Sequence, residues 1–203
     1  GEDNHRPDGW SWRRSKPRRQ GNRSFYPWLL AGVPRLYGAL TMDGAVSIGT
    51  DVQFQIERMI TDYAHAIDDD RLEMWPEFFT DDCSYRIINR ENYAKGRRVG
   101  IMDCSSKGML RDRILALREA NVYEPHCYRH LQSGIRIVGD KDGAYQVETS
   151  FMIVRTMQEG DMSLFCAGKF IDEIVFEGSL PRFRKRIVVT DSNRIHTLIV
   201  IPI

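Results

Sequence analysis

The sequence predicts an α+β fold: helices come first and pack on one face of a long antiparallel sheet that curves into a cone. Three observations predict it. An apolar stripe at helical spacing runs through residues 51–67. Nearly everything after Tyr128 has the composition and alternation of strands. Gly- and Asp-containing turns separate those strands at Gly139-Asp140-Lys141-Asp142-Gly143, Glu159-Gly160 and Glu177-Gly178-Ser179.

The elements follow in order. Thr50-Asp51-Val52-Gln53 reads as a capping box. Ile56, Met59, Ile60, Tyr63 and Ile67 then share one face, so Asp51–Ile67 is an amphipathic helix. Asp68-Asp69-Asp70 belongs to the following turn, because carboxylates oppose the negative end of a helix. A second short helix carries Leu72, Trp75, Phe78 and Phe79 on one side, with Pro76 in its first turn. Cys83–Ile88 reads as a strand and Gly96–Gly108 as a loop. Met109, Leu110, Arg113, Ile114 and Leu117 make a third helix, capped by Ser105 or Ser106. Strands are predicted over His130–Val138, Tyr145–Met157, Met162–Phe176, Arg182–Thr190 and Arg194–Ile203.

The chain has 203 residues, enough for one domain with a sizeable core and some additional sequence. Its net charge of +1 gives no bulk field toward nucleic acid or membrane. That figure hides a split. Residues 1–41 carry eight Lys/Arg against three Asp/Glu, which leaves 21 basic and 25 acidic residues in the remainder. Residues 1–45 are therefore expected to form a flexible basic leader, disordered or non-native, with Met42 as the natural start. Residues 46–203 are expected to form the single α+β domain. The leader's tryptophans and arginines would suit RNA or an acidic partner, but polar, Pro-rich sequence of this kind builds no core. No apolar run approaches the ~18 residues that span a bilayer, and no signal peptide is expected. Cys83, Cys104, Cys127 and Cys166 form no C-x-x-C pair and read as buried free thiols of a cytoplasmic protein.

Catalytic chemistry has few candidates. A Rieske cluster needs two short Cys/His pairs; Cys127 has His126 beside it, but no second pair exists. His126 and His130 are the one close histidine pair, but Pro125 and the strand pattern after it argue against a helix that would bring them together. An acid–base pocket of a stand-alone isomerase or dehydratase would draw on Tyr63, Asp62 and His130, with no spacing that marks them as a set. His65 lies off the apolar stripe. There is no G-x-x-x-x-G-K-[ST], no G-x-G-x-x-G before a helix and no G-x-S-x-G. Arg182, Arg184 and Arg186 fall on one strand face by simple alternation, which suits an exposed sheet face or a surface that meets an acidic partner.

A family resemblance sits on an ordered series of segments: Gln55–Ala64, Trp75-Pro76-Glu77-Phe78-Phe79 with Thr80–Arg86, Gly108-Met109-Leu110-Arg111-Asp112-Arg113-Ile114, Leu117–His126, and Tyr128-Arg129-His130. From about Val46 to Ile203 the chain resembles the small (β) subunits of aromatic-ring-hydroxylating dioxygenases, most of all those acting on aromatic acids such as terephthalate, anthranilate, salicylate and benzoate. The resemblance implies a cone fold like those of nuclear transport factor 2, scytalone dehydratase and ketosteroid isomerase. It implies a hetero-hexamer of three large (α) and three small subunits. The Rieske [2Fe-2S] cluster and mononuclear Fe(II) are then expected in the large subunit, with NAD(P)H electrons delivered by a reductase and in some systems a ferredoxin. This chain is expected to hold no cofactor, metal or catalytic residue, and to bind neither nucleic acid nor membrane. It would belong to an enzyme as its non-catalytic, mainly structural subunit.

Arg113, Arg129 and His130 are interface candidates, because an arginine fork binds carboxylates in two places. Arg113 is expected to pair with a carboxylate, either in the neighbourhood of Asp112 or in the large subunit. Trp75, Phe78 and Phe79 are expected to anchor the second helix to the sheet. The rival readings differ in what they would show. An enzyme would have a closed polar pocket, a subunit an exposed apolar patch on the outside of the sheet, and a transport-factor-like binding module a face-to-face dimer.

Overall fold

The computed structural model describes residues 48–194 and 199–203. The leader expected over residues 1–45 lies outside the described residues. Helix α1 spans Thr50–Asp68 and buries Ile56, Met59, Ile60, Tyr63 and Ile67, the stripe the spacing predicts. The capping box does not form. Gly49 is the cap residue, its carbonyl accepting from the amides of Val52 and Gln53, and the Gln53 side chain turns to Glu57 instead. Asp68 is the last helical residue and does not lie in the turn; the His130 amide donates to its carboxylate at 2.9 Å and His130 Nδ1 lies 2.6 Å from its other oxygen.

A 3₁₀ helix, Leu72–Phe78, follows, with Pro76 inside it and not in its first turn. Strand β1 (Phe79–Asn89) runs longer than expected. Helix α2 (Arg90–Ala94), capped by Asn89, lies in a stretch to which no element was assigned, and the short strand β2 (Met102–Cys104) lies within the expected loop. Ser106 caps α3 (Lys107–Glu119), accepting from the Met109 amide at 3.3 Å. Four long strands complete the described sheet: β3 (His126–Lys141), β4 (Ala144–Met157), β5 (Met162–Glu177) and β6 (Leu180–Thr190).

The six strands are ordered β2-β1-β6-β5-β4-β3. Strands β3 to β6 form the expected antiparallel meander. β1 joins it parallel to β6, so the sheet is mixed. β5 and β6 approach closely at Gly168, where any Cβ would stand 2.0 Å from the Val189 carbonyl oxygen. The core lies between α1, the 3₁₀ helix, α3 and the inner face of the sheet, and includes Trp75, Phe79, Tyr85, Leu110, Phe151, Phe170 and Phe183. Trp75 and Phe79 are fully buried, with Phe78 packed at the edge of the same cluster.

The strand expected over Arg194–Ile203 is not formed in its described part. Ile199–Ile203 is instead a buried irregular segment packed into the core.

Candidate functional site

Among the described residues, the inner face of the sheet carries a buried Asp–Arg ion pair. Asp172 on β5 faces Arg186 on β6, and the guanidinium donates through Nε and Nη2 to the two carboxylate oxygens at 2.9 Å each. Alternation alone would have turned Arg186 outward beside Arg182 and Arg184. A β-bulge changes the phase: Lys185 pairs with Glu173 and Phe183 with Ile174, leaving Arg184 as the extra residue. Arg186 therefore points inside, while Arg182 and Arg184 stay outside with Glu177 and Glu173. Three aromatic rings sandwich the guanidinium, with centroids at 4.2 Å (Tyr63), 4.2 Å (Phe170) and 4.0 Å (Phe183) from its carbon.

Burial lifts the Asp172 carboxyl above its ordinary range, with Arg186 opposing that rise. Burial works against charge on Arg186 too, but Asp172 and Tyr63 outweigh it and hold the guanidinium protonated. The bidentate geometry favours the ionised pair.

Tyr63 continues this polar interior. Its hydroxyl donates to the main-chain oxygen of Ile203 at 2.7 Å and accepts from the Trp75 indole at 2.9 Å. Tyr85 donates to the same oxygen at 2.9 Å and accepts from the Ile203 amide at 3.1 Å. Burial raises both phenols, that of Tyr85 strongly. Around Arg186 the space between helices and sheet is thus occupied by an ion pair, aromatic rings and the segment Ile199–Ile203.

The residues named for an acid–base pocket are not brought together. Tyr63 is fully buried, whereas Asp62 points to solvent and lies 3.8 Å from Arg58. His130 sits elsewhere, on β3. Its amide and Nδ1 reach the two oxygens of Asp68 at 2.9 and 2.6 Å. His126 and His130 are four residues apart on an extended strand, about 13 Å, with the Tyr128 ring between them. They cannot share one metal ion. Among the described residues no cluster of three or more His, Cys, Asp or Glu could hold a metal.

Arg113 donates to the Ile199 carbonyl at 2.7 Å, tying α3 to the inserted segment, and forms no ion pair with a carboxylate among the described residues. Arg129 is exposed and stands 3.8 Å from Asp68. A cleft of about 450 Å³ opens beside these groups, lined among others by Asp68, His126, Tyr128 and Ile201. Cys83, Cys104 and Cys166 are buried as expected, but Cys127 is exposed.

The outer face of the sheet is different in kind. Leu131, Met152 and Ala167 are neighbours across β3, β4 and β5, and Val154 pairs with Leu164 in the next row. Leu131, Met152, Leu164 and Met162 are all exposed. Aliphatic side chains of adjacent strands thus form a continuous row facing solvent, as on a surface that a partner covers.

Sequence reasoning missed Asp172, the inward direction of Arg186 and the inserted segment, and it named no residue of the outer apolar patch expected of a subunit. Two signals were available. Asp172 interrupts the inward apolar alternation of Phe170 and Ile174. Phe183 and Val188 are both core residues at an odd spacing, which demands a bulge between them.

The chain matches the SnoaL-like domain family over residues 52–186. It is 41% identical over 150 residues to the anthranilate 1,2-dioxygenase small subunit of Burkholderia cepacia, covering 74% of this chain and 93% of that protein. It is 39% identical over 151 residues to subunit beta 1 of the terminal oxygenase component of terephthalate 1,2-dioxygenase of Comamonas sp, covering 74% and 98%. A crystal structure from Novosphingobium aromaticivorans, assigned as the beta subunit of an aromatic-ring-hydroxylating dioxygenase, superposes with a TM-score of 0.68 at 37% identity, covering 75% of this chain and 97% of that one.

Proposed function

The chain belongs to the SnoaL-like domain family and within it to the small (β) subunits of aromatic-ring-hydroxylating dioxygenases, and from that premise we propose that it is the structural small subunit of a terminal oxygenase acting on an aromatic carboxylic acid. Its partner is a large (α) subunit, in a hexamer of three of each. The Rieske cluster and the mononuclear iron reside in that partner, and electrons from NAD(P)H reach it through a reductase, with or without a ferredoxin. The protein works in the cytoplasm.

The observation that supports a structural role is the internal pairing of the buried polar groups. Between helices and sheet, around Arg186, Asp172 holds the guanidinium through two hydrogen bonds while Tyr63 and Tyr85 hold the Ile203 oxygen, so these polar groups are engaged within the chain. The donor set also fits poorly to an iron centre within this chain. Cys83 and Cys166 are buried, their thiols pushed up to about 11 and about 12 by desolvation, whereas a cluster needs thiolates grouped in space. No step of the oxygenation is therefore assigned to these residues. The exposed aliphatic row outside the sheet offers the surface such a subunit needs.

Co-expression with its large subunit tests the reading. A stable mixed oligomer that holds iron and hydroxylates an aromatic acid is expected, against an iron-free and inactive small subunit alone. A chain that stays separate and by itself isomerises or dehydrates a substrate would overturn it.

A further inference from the structure

We propose that the loop 96–101 is a docking point for the large subunit, receiving an apolar segment that presents carboxylates; the inference rests on the reading of this chain as a β subunit. The loop reads Gly96-Arg97-Arg98-Val99-Gly100-Ile101 and joins α2 to β2. It is held firmly. The Gly96 amide donates to Tyr93 at 3.0 Å, the Arg97 amide to Asn92 at 2.9 Å, and the Ile101 amide to Ile87 at 2.7 Å. The Asn92 side chain donates to the Val99 carbonyl at 3.2 Å. At Gly100 a Cβ would stand 2.6 Å from the Ile87 carbonyl oxygen, so the loop lies directly on strand β1.

This pinned loop nevertheless holds Val99 72% and Ile101 48% exposed. Aliphatic groups fixed in water gain nothing from the fold and gain on being covered. The charges beside them point to what covers them. Arg97, Arg98 and Arg86 rim a groove of about 230 Å³ whose apolar lining includes Ile88 and Ile187. Arg86 is already neutralised by Asp103 at 2.7 Å. Arg97 reaches the Asn92 amide oxygen at 3.5 Å and acts at a distance on Glu91, whose carboxylate Lys95 holds, and neither Arg97 nor Arg98 forms an ion pair among the described residues. Two guanidinium forks thus stand without a directly paired carboxylate next to two bare aliphatic side chains. Arginines beside exposed apolar groups on a rigid backbone are the composition of an interface anchor, and their geometry asks for carboxylates. A free anion would satisfy the arginines and leave Val99 and Ile101 in water, so a protein segment fits better.

The test uses the full chain co-expressed with its large subunit. The Arg97→Glu/Arg98→Glu double variant is expected to weaken association at least about tenfold, with an unchanged circular dichroism spectrum and thermal midpoint. The Arg97→Lys/Arg98→Lys variant is expected to retain part of the binding. Arg58→Glu, on the exposed side of α1, is expected to leave it unchanged. Association of the unaltered chain should weaken between about 0.05 and about 0.5 M salt, and that of the charge-reversed variant much less.

If the unaltered chain binds the large subunit and the reversed variant binds equally well, this inference is wrong while the subunit reading stands. If the unaltered chain does not bind at all, the subunit reading itself fails. Loss of self-association alone, with large-subunit binding intact, would assign the loop to a second copy of this chain and overturn the proposal. So would saturable binding of benzoate to the small subunit alone that the reversed variant abolishes while still binding the large subunit.

Discussion

Asp172 and Arg186 stand directly opposite each other on β5 and β6, joined by two hydrogen bonds of 2.9 Å, with both side chains wholly removed from solvent. Breaking such a pair from one side leaves an uncompensated charge in the core, a cost of about 3–5 kcal/mol. Asp172→Ala is therefore expected to lower unfolding free energy by that order, measured by urea denaturation. Replacing both partners together, as Asp172→Leu/Arg186→Met, is expected to cost less than the single change. A single variant with near-native stability would show that Arg186 finds another counter-charge.

Much of the fold was legible in local pattern. Ile56, Met59, Ile60, Tyr63 and Ile67 announce α1 because a helix stripe is a property of neighbours, and the Gly-containing turns announce the meander for the same reason. The parallel pairing of β1 with β6 joins residues about a hundred positions apart, and no local signal encodes it. The bulge at Arg184 was missed because alternation was counted straight through Arg182–Arg186, so an inward arginine was assigned to the surface. Ile199–Ile203 has the composition of a strand, yet its Ile203 oxygen is engaged by two tyrosine hydroxyls. Burial, not pairing, explains its apolar character. Family resemblance rested on ordered segments and so reached the function, while the surface that carries it depends on which faces the fold leaves open.

The two tyrosines give a separate prediction. Tyr63 and Tyr85 both donate to the Ile203 oxygen, and Tyr63 also accepts from Trp75. Tyr63→Phe orphans the buried indole N–H and half-satisfies the carbonyl, which is expected to cost about 1–3 kcal/mol. Tyr85→Phe should cost a similar amount, because it removes the acceptor of the Ile203 amide. Measured urea midpoints for each that match the unaltered protein would mean that water replaces the lost groups.

Acid should loosen the contact between the 3₁₀ helix and α3. Hydrogen bonding to Arg118 holds Glu73 below the usual carboxylate range, and Lys107 and Arg111 do the same for Glu77. A depressed carboxyl contributes stability above its unfolded value of 4.5 and loses it as pH falls through the lower folded value. Urea midpoints are expected to begin falling near that value. The Glu73→Gln/Glu77→Gln variant should start lower and fall less steeply. Both glutamates are largely solvent-exposed, so the effect is small. Parallel pH curves for the two proteins would exclude these bridges as the cause.

Thiol chemistry separates one cysteine from three. Cys127 is exposed on β3, whereas burial lifts Cys83 to about 11 and Cys166 to about 12 and raises Cys104 as well. The thiolate is the nucleophile, so a mildly alkaline solution should show a single fast-reacting thiol with a disulfide reagent. Cys127→Ser is expected to abolish that phase and leave the fold intact. Several fast thiols in the native protein would contradict the packing of the core.

The outer row of Leu131, Met152 and Leu164 makes the final prediction. These side chains project away from the core, so Leu164→Glu removes little internal packing and its effect on stability is expected to stay within about 0.5 kcal/mol. It does place a charge in the middle of an apolar surface, opposite Val154 and beside Met152. A partner that covers this row must then desolvate the carboxylate without a counter-ion, which opposes association. Co-purification with the large subunit should therefore drop for Leu164→Glu while its urea midpoint holds. Binding of a hydrophobic dye to the isolated chain should fall as well, since the patch is interrupted. Full association by Leu164→Glu would leave this face without a partner in the complex and assign it to contact between copies or to solvent.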